Sequence, residues 1–86
     1  MRVLDRKPYS YVLLERDGEM ILTFLLGGAV MWDVSVRLTD AEIAALEDDD
    51  ASPADLVERF TADRSTYEGR SITPTVWPAR EGRPEE

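Results

Sequence analysis

Residues 9–38, "YSYVLLERDGEMILTFLLGGAVMWDVSVRL", hold the densest run of large apolar side chains in the chain. They are punctuated by Asp17-Gly18 and Gly27-Gly28. An Asp-Gly pair between apolar runs suits a two-residue hairpin turn, because both central residues then need positive φ. That predicts antiparallel strands over 9–16 and 19–26. The register follows: Arg16 faces Glu19, Leu14 faces Ile21, Val12 faces Thr23 and Tyr11 faces Phe24. Residues 30–38 then alternate cleanly, with Val30, Trp32, Val34, Val36 and Leu38 on one side and Met31, Asp33, Ser35 and Arg37 on the other.

The third strand's register decides what the sheet buries, since a slip of one residue exchanges its faces. A two-residue turn at Gly27-Gly28 would set Asp33 beside Leu22 and Leu13. A three-residue loop, with Leu26 opposite Val30, aligns Tyr11, Phe24 and Trp32, then Leu13, Leu22 and Val34, then Met20 and Val36. That face is apolar throughout and is the expected core. The opposite face is mixed. On it Val12, Leu14, Ile21, Leu25 and Met31 form an apolar patch that something should cover, because large exposed patches are unusual on monomers.

Two helices follow. "TDAE" is a capping box with Thr39 as N-cap and Glu42 reaching back. It starts a helix from 40 to about 47 that offers Ile43, Ala44 and Leu46. "SPAD" has Ser52 as N-cap, Pro53 in the first turn and Asp55 at the positive helix end. That helix runs to about Ala62 and offers Leu56, Val57 and Phe60. Both apolar stripes are narrow, so each helix should cover the aromatic sheet face. In "RSTYEGRSITPTVWP", Tyr67, Ile72, Val76 and Trp77 could return along the sheet, whereas Pro74 and Pro78 oppose a central strand. An ordered arm is expected over about 66–73. The predicted fold is therefore α+β: a three-stranded antiparallel meander with two helices on one face. Residues 1–73 form one domain and 74–86 a flexible C-terminal tail.

The chain has no cysteine and no histidine. This removes disulfides, thiolate chemistry, the common zinc ligands and the Ser–His and Cys–His nucleophile systems. The expectation is a protein that is not an enzyme and uses no cofactor and no metal. "MRVLDRKPYS" lacks the apolar run of a signal peptide. "MILTFLLGGAVMW" is too short to span a bilayer. With the missing cysteine, these features suit the cytoplasm.

The net charge is −8, and residues 39–63 alone carry nine acidic residues against one basic. Nucleic acid and acidic membrane surfaces call for the opposite sign, so neither is an expected partner; a basic protein is. "EDDD", Glu47 to Asp50, is the densest cluster. An EF-hand loop beginning at Asp48 would need glycine and glutamate where the chain has Pro53 and Arg59. The cluster then reads either as a solvated inter-helix loop or as a field that captures a basic partner. Gly27-Gly28 lacks the phosphate-loop pattern and reads as a turn.

The candidate partner-binding residues are Glu47, Asp48, Asp49, Asp50 and Asp55, the patch residues Val12, Leu14, Ile21 and Met31, and Trp77. Two alternatives stay open. The C-terminal arm could cover the patch within the chain, and Trp77 could pack on the body instead of anchoring another chain.

The order "YVLLERDGEMILTFLLGG", "LTDAEI", "TYEGRSI" resembles short bacterial proteins of the immunity-protein type, encoded beside polymorphic or secreted toxins. The resemblance spans roughly residues 9–72 and rests on a hairpin turn, a capping box and a Tyr-x-x-Arg-x-Ile ending. It implies a cytoplasmic inhibitor that binds a cognate toxin, a basic domain on the charge argument above, and does no chemistry; it carries over no binding residues. The competing expectation, from another class, is a homodimeric accessory or structural protein that pairs through the mixed face or through an edge at 9–16 or 30–38.

Overall fold

The computed structural model describes residues 2–7, 10–26 and 32–78. Their elements are β1 (Arg2–Lys7), β2 (Tyr11–Arg16), β3 (Glu19–Leu26), β4 (Trp32–Arg37), α1 (Asp40–Glu47), α2 (Pro53–Ala62), a 3-10 turn (Arg64–Tyr67) and β5 (Ser71–Ile72). The strands form one sheet in the order β1-β2-β3-β4-β5, and every neighbouring pair is antiparallel. The class is α+β, but the three-stranded meander is corrected to five strands. β1 (RVLDRK) has no apolar alternation, and all six of its residues are exposed. It joins through ladder hydrogen bonding along β2 instead of through burial, which is why periodicity passes over it. β5 is two residues long and pairs Ile72 with Ser35 and Ser71 with Val36.

The β2–β3 hairpin has the expected register, from Tyr11 opposite Phe24 to Arg16 opposite Glu19. Asp17 and Gly18 take φ of 54° and 83°, as a type I′ turn requires. The β3–β4 register differs. Leu26 faces Trp32, Phe24 faces Val34 and Leu22 faces Val36, a slip of two residues from Leu26 opposite Val30. Trp32 is therefore not beside Phe24; Val34 is. A two-residue slip keeps every side chain on its face, so alternation cannot choose between the two registers.

The face carrying Leu13, Leu22, Phe24 and Val36 forms the main core with Leu38, Leu56, Phe60 and Tyr67. Both capping boxes are closed. The Thr39 N–H donates to Glu42 at 2.9 Å and the Glu42 N–H to Thr39 Oγ1 at 3.1 Å, with Ser52 and Asp55 repeating the exchange at 2.9 and 3.2 Å. α2 buries Leu56 and Phe60 fully. α1 buries none of its residues completely, and it contributes Ile43 and Leu46 to the edge of the core. Phe24, Phe60 and Tyr67 form a triangle of rings with centroids 5.5–6.0 Å apart. Two of its sides are edge-on, an arrangement favoured by the ring quadrupoles.

Arg70 ties the helical layer to the sheet. Its guanidinium forks onto Glu42 at 2.7 and 3.1 Å, donates to the Arg37 and Thr66 carbonyls, and lies 5.9 Å from the Phe60 ring centroid. Burial alone would raise the Glu42 carboxyl, but its hydrogen bonds from Arg70 and Thr39 and the Arg70 charge hold it below its ordinary value. The Tyr67-x-x-Arg70-x-Ile72 ending thus supplies a core ring, an ionic clamp and a strand residue.

The mixed sheet face is closed from within the chain. Val12, Leu14, Ile21 and Val76 form a second core with Ile72 against it. Thr23 and Ser35 sit fully buried in the same layer. Their oxygens are 2.6 Å apart, the Val76 N–H donates to Ser35 Oγ at 2.8 Å, and Thr23 Oγ1 donates to the Val76 carbonyl at 2.7 Å. With Ser35 donating to Thr23, the four groups make a closed circuit, and none is left unsatisfied. Residues 74–78 were expected in the tail, but Val76 is only 4% exposed. Residues 79–86 lie outside the described part of the chain.

Candidate partner-binding surface

The arm decides which expected binding residues remain accessible. Val12, Leu14 and Ile21 are buried at 2%, 0% and 0% exposure, so they are corrected from partner surface to core. The cause is Val76, which seats its side chain on them and fastens its backbone to Thr23 and Ser35. Met31 lies outside the described residues. The edges named for self-pairing change as well. β2 is flanked by β1, and β4 is paired with β5 at Ser35 and Val36.

Trp77 is 43% exposed. Its indole Nε1 donates to the Asp33 carboxylate, and Thr75 Oγ1 donates to the same oxygen at 2.7 Å. These bonds hold the Asp33 carboxyl below its ordinary value, Thr75 contributing most and Trp77 next. One edge of the indole is thus tied to the body while part of its surface faces water.

The acidic residues are all accessible: Glu47, Asp48, Asp49, Asp50 and Asp55 are exposed. They do not share one structural reason. The Asp55 carboxylate closes the α2 capping box, where a negative charge is favourable to the helix. Glu47 is the last residue of α1 and Asp48 its C-cap, and no basic residue stands in that last turn. Negative charge at a helix C-terminus opposes the macrodipole. Asp49 also takes a positive φ of 61°, a conformation costly for most non-glycine residues though less so for aspartate. Among the described residues, no salt bridge or side-chain hydrogen bond engages Glu47, Asp48, Asp49 or Asp50. Nor is any group of three or more acidic side chains among the described residues placed to hold a metal ion.

Beside this loop, between the helices and β1, lies an open depression of about 430 Å³. Its lining residues include the apolar Leu4, Leu13, Leu46 and Pro53 and the acidic Asp5, Asp49, Asp50 and Asp55. Asp5 is fixed in place: its Oδ1 accepts the Arg6 N–H at 2.8 Å and its Oδ2 the Tyr11 hydroxyl at 3.2 Å. Burial first, and the neighbouring Asp5 charge second, push the Tyr11 hydroxyl pKa up, which keeps it a donor. Sequence reasoning missed Leu4 and Asp5 because they lie on a strand that has no periodic signal.

No helix among the described residues is long and apolar enough to cross a membrane. No protein-family model, curated protein or solved structure matches the chain.

Proposed function

We propose that this chain is a small acidic binding protein that captures a basic protein domain, and that it serves in the cytoplasm as an immunity protein against a bacterial toxin, acting by occupancy and not by chemistry. The observation that carries the reading is the placement of Glu47, Asp48, Asp49 and Asp50. Four consecutive carboxylates stand exposed at and just beyond the C-terminus of α1, where the helix dipole disfavours them and no salt bridge among the described residues engages them. Charge that costs local stability is explained if it acts on another molecule, because a concentrated field accelerates encounter with an opposite charge. The resemblance to immunity proteins supplies the kind of partner.

The test is whether the neighbouring reading frame encodes a basic domain that binds this chain, followed by stopped flow with that domain at several salt concentrations. Reversing Asp48, Asp49 and Asp50 to lysine is expected to slow association by about 10- to 100-fold at low ionic strength and to flatten its salt dependence. Equal rates for the two proteins at low and high salt would refute the reading. These three side chains are exposed, so the variant should stay folded, and circular dichroism checks this directly.

A further inference from the structure

The charged loop gives a partner attraction but no shape, whereas the depression beside it has both. On its β1 side the register shifts: Val3 pairs with Leu14 and Asp5 with Leu13, which leaves Leu4 as an extra residue. A bulge of this kind breaks the strict alternation of faces and re-aims a side chain. Leu4 and Asp5, neighbours in sequence, therefore line the same depression. Leu4 remains 38% exposed on its apolar wall.

We infer that this groove is the seat for an extended basic segment of the partner, with an arginine or lysine side chain lying in it; the inference rests on the reading of the chain as a binder of basic proteins. The methylene stem of such a side chain covers Leu4, Leu13 and Leu46, and its cationic head reaches the carboxylates of Asp5, Asp49 and Asp50. Long basic side chains join an apolar stem to a charged tip in this way, and an arginine fork pairs well with fixed carboxylates. Asp5 is held by two hydrogen bonds before any partner arrives, so little ordering cost falls on binding. A neutral apolar segment would leave carboxylates beside it without counter-charge, and an acidic one would be repelled. A second copy of the chain fits poorly at the adjoining edge: β1 against β1 in the register centred on Leu4 and Asp5 sets Arg2 opposite Lys7, and like charges directly opposed are destabilising.

The probe is a synthetic peptide of alternating leucine and arginine, titrated into the full chain and followed by amide chemical shifts. The expected result is a cluster of shifts at Leu4, Asp5, Leu13, Leu46 and Ala51, with Val76 unmoved, and no shifts with the leucine–glutamate counterpart. Leu4→Ser should weaken the peptide about threefold or more at high salt, where apolar contact outlasts the screened field. Shifts spread evenly over 47–55, with Leu4 and Leu13 silent and Leu4→Ser binding unchanged, would overturn the groove and leave the acidic-capture reading standing. No shifts anywhere at low salt would overturn both.

Discussion

Leu14→Lys is expected to abolish the cooperative fold. Leu14 is 0% exposed, in the layer with Val12, Ile21 and Val76. Removing a buried leucine costs about 2–5 kcal/mol, and holding an unpaired ammonium in an apolar layer costs several more. A domain of this size has roughly 4–13 kcal/mol in total, at about 0.05–0.15 kcal/mol per residue. The two losses together consume most or all of it. A urea titration followed by circular dichroism should show little or no sigmoidal transition. The outcome discriminates between two accounts of the same residue. Were Leu14 part of an exposed association patch, lysine would be tolerated and would only break a dimer. A folded Leu14→Lys monomer with a near-normal melting temperature would contradict the packing described here.

Phe60→Ala should have the next largest effect. Phe60 is 0% exposed and touches both other rings of the triangle, with centroids 5.8 Å from Phe24 and 5.5 Å from Tyr67. Truncating a core phenylalanine costs about 3–5 kcal/mol, and the ring–ring geometry adds about 0.5–1.5 kcal/mol for each favourable pair. The ring also underlies the Arg70 guanidinium, so its removal slackens the clamp between Glu42, Arg37 and Thr66. The urea midpoint should fall steeply with the slope unchanged, and Phe60→Leu should recover more than half of the loss. A midpoint shift worth less than about 1 kcal/mol would mean that α2 is not seated on Phe24.

The hairpin and both helices were legible because each carries a local chemical signature. Asp17-Gly18 suits positive φ, and Thr39/Glu42 and Ser52/Asp55 satisfy orphan amides at the helix starts. Face assignment was legible as well, since alternation has a period of two. The β3–β4 register was not, because a slip of two preserves that period. One cue was available. Thr23 and Ser35 are two hydroxyls on an otherwise apolar part of the sheet, and setting them opposite each other satisfies both. That pairing forces Leu26 opposite Trp32, the register observed. β1 left no trace because its residues are exposed and unpatterned.

At the candidate surface, the acidic loop was legible from charge density alone. The groove beside it was not, since Leu4 reaches it through a bulge with no sequence signature in "RVLDRK". The same Thr23–Ser35 pair fastens the Val76 backbone over Val12, Leu14 and Ile21, a closure that sheet periodicity does not encode. Those residues form a patch only until Val76 is placed over them, and prolines at 74 and 78 conceal that the segment between them packs on the sheet.

That segment decides which apolar side chains face water. If Val76 closes the second sheet face, the hydrophobic patch is spent inside the chain, while the acidic loop, the groove beside it and part of Trp77 stay accessible. Native-state hydrogen exchange at the Val76 amide tests this most directly, because that N–H is donated to the buried Ser35 hydroxyl at 2.8 Å. The arm as described predicts exchange slowed to within about tenfold of the β3 amides flanking Thr23, reporting opening near the global unfolding free energy. Exchange at Val76 as fast as in an unstructured peptide, with β3 still protected, would show the face open to solvent and return Val12, Leu14 and Ile21 to the list of binding residues.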